Sequence, residues 1–324
     1  MSRYERQMTL PEIGAAGQDR LASADVLVVG AGGLGSPVLQ YLAGAGVGHI
    51  ALVDPDRVEE SNLHRQPLFA MSDVGQAKAL AARDRLCAAN PDIRVSAHVT
   101  ALDPANAPAL AAQADLVIDA ADSYAVSYTL SDLCLSLGTP LVSASVLGQS
   151  GYVGGFCGTA PSLRAVFPDL PTGGATCANA GVMGPVVGMI GALQAQMALQ
   201  ILLGHTPSPL GRMVSVDAQS LHFSGFSFLD APEPDIAFPF LAPVQLTHHD
   251  RIIELRTADE APDPVHAHAI RLTGAKPPEI GPPDPAMRTV LCCSSGLRAW
   301  RAAAALAAQG HDNLALCATG RAGE

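Results

Sequence analysis

Four glycines, two acids and two cations stand at spacings that can do chemistry on a phosphate chain. Gly30-Ala31-Gly32-Gly33-Leu34-Gly35 follows the β-branched run Val26 to Val29 and precedes an apolar, helix-compatible segment through Val38, Leu39, Leu42, Ala43 and Ala45. A second strand, Ile50 to Val53, ends in Asp54, 24 residues after Gly30. Strand, Gly-x-Gly-x-x-Gly, helix, strand, acid is the order of a nucleotide-binding unit. Gly30 permits a tight turn, Gly32 lets the backbone approach a phosphate, and Gly35 lets helix and strand pack closely. The helix N-terminus offers free N–H groups and a positive dipole end. Asp54 can accept from ribose hydroxyls.

The residues that follow bear on which nucleotide. Asn62-Leu63-His64-Arg65-Gln66 and Gly75-Gln76-Ala77-Lys78 bring cations after the second strand. A nicotinamide dehydrogenase needs none there. Cleavage of ATP between its α and β phosphates does, because charge gathers on phosphate oxygens in the transition state. Lys78 stands near the start of a helix expected over 75–89, where a cation sits poorly with the dipole; a reach toward phosphate accounts for it. The apolar strand Leu116-Val117-Ile118 then ends in Asp119 and Asp122, at the sheet edge where open α/β folds bind ligands. Asp122 could also cap the helix that begins near Tyr124.

These motifs together resemble the adenylyltransferases of ubiquitin-like sulfur carriers, the thiamin- and molybdopterin-pathway relatives of the ubiquitin-activating enzymes, over about residues 3 to 226. The resemblance implies a Rossmann-like, doubly wound α/β sheet, mainly parallel with late antiparallel strands. It implies ATP and Mg²⁺, with Asn62, Arg65, Gln66 and Lys78 as nucleotide contacts and Asp122 placing the metal. Arg3-Tyr4-x-Arg6-Gln7 matches an N-terminal pattern in which the second arginine crosses a homodimer to the partner's phosphates, a role that falls on Arg6. Cys177 matches a crossover-loop cysteine that forms a thioester or acyl-disulfide with the carrier in some members and is dispensable in others; simple packing is the other reading for it. Two departures stand out. Ser123 replaces the usual asparagine, and Ser162-Leu163-Arg164-Ala165 stands where many members carry the first of two zinc-binding Cys-x-x-Cys pairs. No zinc is therefore expected.

The rest of the chain supplies elements to hold these groups. Strands are expected at 95–99, 140–146, 151–157, 212–217 and 221–226, and an apolar helix from Gly181 to Leu203. With 324 residues, 48% hydrophobic and 15% charged, the chain can bury a large domain and a small one. Its net charge of −11 weighs against nucleic acid or an anionic membrane as partner. Seven cysteines without scaffold spacing suit a cytoplasmic location.

The domain reading is 1–228 for the nucleotide domain, 229–247 for a proline-rich linker and 248–324 for a small α/β unit. In that unit, strand, Cys293-Ser294-Ser295-Gly296-Leu297-Arg298 and an Ala-rich helix resemble a rhodanese domain, short and degenerate, lacking the usual last helix. The resemblance implies that Cys293 carries a persulfide beside Arg298, or that the unit is an inactive appendage. The chemistry expected overall is attack of a carrier's C-terminal glycine carboxylate on the α-phosphate of ATP, then sulfur transfer from Cys293 or from a separate donor such as a cysteine desulfurase. The partner is a small carrier ending in Gly-Gly. A nicotinamide oxidoreductase, a non-catalytic scaffold and adenylation of a tRNA-borne carboxylate are the alternatives.

Overall fold

Val26, Leu27, Val28 and Val29 are all buried, as a strand covered on both faces requires. In the computed structural model, which describes residues 3–171, 181–273, 280–281 and 287–320, this run lies in strand β1 (Asp25–Val29), near the middle of an eight-stranded sheet. After two short N-terminal helices, α1 (Glu5–Met8) and α2 (Gly14–Ser23), the chain runs β1, α3 (Gly35–Ala45), β2 (His49–Val53), α4 (Lys78–Ala89), β3 (Arg94–His98), α5 (Ala107–Ala111), β4 (Leu116–Asp119) and α6 (Tyr124–Leu137). It continues through β5 (Pro140–Leu147), β6 (Ser150–Cys157), α7 (Leu163–Val166), α8 (Gly184–Leu203), β7 (Arg212–Asp217) and β8 (His222–Ser227).

The sheet order is β3-β2-β1-β4-β5-β6-β7-β8. The first five strands are parallel, and β5 through β8 pair antiparallel. The alternation of side chains splits the core into two layers. Val26 and Val28 pack with α3, α4 and α8 on one face, while Leu27 and Val29 pack with α5 and α6 on the other. This is the doubly wound, mainly parallel sheet with late antiparallel strands that the sequence predicts. The 20-residue α8 has a mean hydropathy of 1.7, enough by length and composition to cross a membrane. Half of that span is buried against α2, α3, β5 and β6, as in a core helix.

Boundaries shift where long-range pairing overrides local signal. The helix expected from Gly75 begins at Lys78, because residues 75–77 are held by an antiparallel bridge from Arg57 to Ala77 and by Gly75 N–H bonding the Val58 carbonyl. The segment 229–247, read as linker, contributes an edge strand, β9 (Phe240–Leu241). That strand joins a second, all-parallel sheet in the order β11-β10-β12-β13-β9, with β10 at Arg251–Glu254, β11 at Ile270–Arg271, β12 at Thr289–Cys293 and β13 at Leu314–Ala318. Helix α9 (Leu297–Ala307) covers it. Phe240, Ile253 and Trp300 share one apolar cluster with Leu141 and Phe156 of the large sheet.

The segment Ser162-Leu163-Arg164-Ala165, where no zinc is expected, is tied to the rest of the chain by hydrogen bonds. Arg164 is buried, makes two hydrogen bonds to the Asp132 carboxylate at 2.6 and 2.8 Å, and donates to the Phe238 carbonyl at 3.1 Å. Its guanidinium also lies over the Tyr128 ring. The amide and hydroxyl of Ser162 both donate to the Glu233 carboxylate. Among the described residues no cluster of three or more metal-ligating side chains occurs.

Candidate active site

The glycine loop turns at the C-terminal ends of β1 and β4. Gly30 adopts φ +100°, and a side chain there would sit 2.6 Å from the Ala120 carbonyl oxygen. A side chain at Gly35 would run into the Gly30 carbonyl. Both positions thus admit only glycine, for turn and for close packing. Gly32 has open space except for the Gln66 amide 3.9 Å away, which leaves the room a ligand would need.

Asp54 ends β2 directly beside this loop. One carboxylate oxygen accepts the Ala31 N–H at 2.7 Å and the other the Asp56 N–H at 2.8 Å. Burial, the largest influence, pushes its carboxyl above the ordinary range, against the pull of nearby Lys78 and the two backbone donors. Each oxygen keeps a second lone pair for a ligand hydroxyl.

A 3₁₀ turn at Glu60–Asn62 and the turn residues that follow it gather three predicted contacts. The Asn62 side-chain oxygen accepts from Arg65 Nη2 at 3.0 Å and from Gln66 Nε2 at 3.2 Å. The Arg65 stem lies over the loop, with its Cδ 3.7 Å from where a Gly33 side chain would be. Lys78 is brought in by the bridge at Ala77 and by its own N–H to the Asp56 carbonyl. Its ammonium pairs with Asp56 at 2.7 Å; the lysine side chain is 7% exposed and the aspartate 51%. In this state Lys78 points to a half-exposed carboxylate that a phosphate could replace.

Asp122 lies exposed on the turn after β4, and its carboxylate makes no hydrogen bond among the described residues. It does not cap the next helix: Ser123 is the N-cap residue, and its side chain makes no cap bond. Behind it, Asp119 is buried, bonded to the Ser143 hydroxyl at 2.8 Å and to the Ala121 N–H at 3.2 Å. Burial, again the largest influence, raises the Asp119 carboxyl.

The structure therefore brings together Gly30, Gly32, Gly33, Gly35, Asp54, Asn62, Arg65, Gln66, Lys78 and Asp122. Arg6 is not among them. Helix α1 docks at the far end of α3, where Gln7 donates to the Ala45 carbonyl at 2.9 Å and the Tyr4 ring packs on Gly46. The 11 residues of α3 separate that anchor from the glycine loop by about 16 Å. Cys177 lies outside the described residues. Sequence reasoning passed over Ser36 and Gln194, whose side-chain oxygens are buried and unpartnered like Gln66 Oε1. The orphaned Ser36 hydroxyl, in the first turn of α3, and the Gln66 amide oxygen, an acceptor, flank the glycine loop, so together with its backbone N–H groups they fit a bound polar ligand such as a nucleotide. A cavity of about 190 Å³ near Asp25, His49, Ser96 and Leu110 shares no residue with this site.

In the second sheet Cys293 ends β12 fully buried, and its sulfur accepts the N–H groups of Gly296 at 3.2 Å and Ala299 at 3.4 Å. Arg298 makes two hydrogen bonds to Glu260 at 2.6 and 2.9 Å. Cys134 and Cys157 are buried, and their thiols are pushed up, Cys157 to about 12, chiefly by burial.

Residues 4–236 match the ThiF family model. The chain is 45% identical over 231 residues to a sulfur carrier protein adenylyltransferase of Thermus thermophilus, a match covering 69% of this chain and 85% of that one. It is 45% identical to the adenylyltransferase and sulfurtransferase MOCS3 of Culex quinquefasciatus and 40% identical to the probable adenylyltransferase/sulfurtransferase MoeZ of Mycobacterium tuberculosis. These two matches cover 69% of this chain but only 52% and 59% of the relatives. Among solved structures, E. coli MccB with MccA-N7isoASN superposes with a TM-score of 0.64 at 24% identity, covering 72% of this chain and 74% of that one, a likeness of fold. The chain belongs to the ThiF family, and the relatives it matches over its nucleotide domain are adenylyltransferases by name.

Proposed function

We propose that the chain adenylates the C-terminal glycine of a small ubiquitin-like sulfur carrier. The observation that carries this reading is the convergence of a glycine loop, the cations Arg65 and Lys78 and the exposed carboxylate of Asp122 at one sheet edge. ATP supplies the adenylyl group, and Mg²⁺ would be held on it by Asp122, since magnesium takes one or two carboxylates plus phosphate oxygens. A carboxylate oxygen of the carrier attacks the α-phosphorus, the new O–P bond forms, and the α–β bridge breaks with loss of pyrophosphate. No side-chain nucleophile takes part. The chain's own work is positioning and charge offset. Arg65 and Lys78 face the phosphates, and Lys78 exchanges Asp56 for them. Asp54 receives ribose hydroxyls, while Asn62 and Gln66 fix Arg65 and the loop cover.

Arg6 completes the site from a second copy of the chain. Its docking at the far end of α3 supports this, since it cannot serve the glycine loop of its own chain. The activated carrier then receives sulfur for thiamin or molybdopterin synthesis. The sulfur is the outer one of a persulfide, carried on Cys293 of the rhodanese-like unit or delivered by a cysteine desulfurase with Cys177 as a candidate acceptor on the way. It attacks the acyl carbon; the bond to AMP breaks and an acyl disulfide forms, which a further thiol cleaves to the thiocarboxylate and a disulfide.

The test is pyrophosphate release with purified carriers of both kinds, each with its terminal Gly-Gly intact or with the last glycine deleted. Release with one intact carrier and not with its deleted form is expected. Absence of release with every intact carrier, from protein that binds ATP, would overturn the reading.

A further inference from the structure

Two buried polar side chains hold the turn that presents Asp122, and neither has a part in the chemistry above. Asp119 and Gln194 are each 0% exposed. Asp119 bonds forward to the Ala121 N–H at 3.2 Å and sideways to Ser143 of β5 at 2.8 Å. Gln194, inside α8, gives one amide hydrogen to the Asp119 carbonyl at 2.6 Å and the other to the Val142 carbonyl at 3.2 Å. Two carbonyl oxygens can be met only by the amide nitrogen, so the orientation of this side chain is fixed. Its own oxygen is buried without a hydrogen-bond partner among the described residues. A leucine would fill similar space without that cost. A glutamine is explained if the strand ends it ties down must stay where they are.

They must stay because the glycine loop rests on them. The Ala120 carbonyl lies 2.6 Å and the Ala121 nitrogen 3.1 Å from where a Gly30 side chain would be, and Ala120 N–H bonds the Val29 carbonyl at 2.9 Å. A shift of this turn moves Asp122 against the phosphate-facing loop.

We propose that Asp119 and Gln194 are positioning residues of the adenylation site, fixing the turn at 120–122 so that Asp122 meets a divalent cation on nucleotide bound at the Gly30 loop. The proposal rests on the adenylation reading, from which the role of Asp122 comes. It predicts a specific defect: loss of the Mg²⁺-dependent part of ATP binding, with metal-free binding spared.

Calorimetric titration of ATP into the full chain, with Mg²⁺ and with EDTA, reads both parts. Asp122→Asn should remove the enhancement by Mg²⁺. Asp119→Asn and Gln194→Leu should cut it by about ten-fold, the scale of a lost supporting contact to a metal ligand, and leave affinity in EDTA near wild type. Ser143→Ala, which removes one hydrogen bond and little volume, should lower it in the same direction by less. If Asp119→Asn and Gln194→Leu fold and keep the wild-type enhancement, or lose both affinities equally, the inference is overturned. If neither folds, an unchanged enhancement in Ser143→Ala overturns it. Wild-type protein that binds no ATP would defeat the adenylation reading itself, whereas ATP binding with unaffected variants defeats only the positioning role.

Discussion

In the proposed adenylation site Lys78 is a single residue prepared before its ligand arrives. A buried ammonium without a partner is costly, and Asp56 supplies one that solvent can reach. Exchange of that carboxylate for a phosphate costs little, since the aspartate returns to water. Lys78→Ala and Arg65→Ala should each lower carrier-dependent ATP–pyrophosphate exchange by about 100-fold or more while far-ultraviolet circular dichroism is unchanged, the scale of losing a charge-stabilising group at a reacting phosphate. Exchange within a few-fold of wild type would remove these residues from the chemistry. Cys134 and Cys157 make the opposite case. Burial pushes both thiols up, Cys157 to about 12, so at pH 8 neither holds appreciable thiolate. Peptide mapping after brief iodoacetamide treatment of native protein should find both unmodified.

Two elements depend on ion pairs whose worth differs with burial. The Arg164–Asp132 pair joins α6 to the loop at 162–166, and Arg164 is nearly enclosed. Arg164→Leu should lower unfolding free energy by about 2 kcal/mol in urea, the scale of hydrogen bonds to a charged group, discounted because Asp132 is partly in water. Zinc content should stay well under one atom per chain by elemental analysis; stoichiometric zinc would mean that another ligand set steadies the loop. The Arg298–Glu260 pair, at the start of α9, lies at the surface, and Arg298 also interacts with the buried Cys293. The hydrogen bond from Arg298 holds Glu260 down to about 2, below the usual glutamate value of 4.5. A depressed carboxylate contributes most above its unfolded value and loses its contribution as pH falls through the folded one. The pair is therefore intact at pH 7 and is lost as pH falls from about 4.5 to about 2. At neutral pH Glu260→Gln should speed maleimide labelling of Cys293 about two- to five-fold, as an exposed ion pair allows. An unchanged rate would show that the pair does not gate the sulfur.

At the scale of the whole molecule the active unit is expected to be a dimer. Arg6→Ala and Asp122→Ala should each be inactive alone. Mixed and allowed to exchange subunits, they should recover about a quarter of wild-type activity, because half the dimers are mixed and each holds one site with both residues intact. Full activity of Arg6→Ala by itself would end the cross-subunit role. The second sheet belongs to this scale too. Its edge strand β9 comes from the proline-rich segment, and Arg164 of the nucleotide domain holds the Phe238 carbonyl two residues before that strand.

The glycine loop, Asp54, the cations and the acid after β4 were legible in the sequence because each is a local requirement. A left-handed turn needs glycine, a buried parallel strand needs a β-branched run, and phosphate chemistry needs cations close behind. The sheet's switch from parallel to antiparallel was also readable, through the resemblance those motifs carry. Residue order could not give what depends on groups distant along the chain. Lys78 is held by Asp56, 22 residues earlier, and Gln194 reaches the Asp119 carbonyl across 75 residues. Strand β9 is only two residues long and exists because β13, more than 70 residues later, pairs with it. Arg164 stood in a gap where cysteines were missing, with nothing local to name its partners; Asp132 and Phe238 lie 32 and 74 residues away. Local propensity names the groups that can do chemistry, whereas burial and long-range hydrogen bonds decide where each one points.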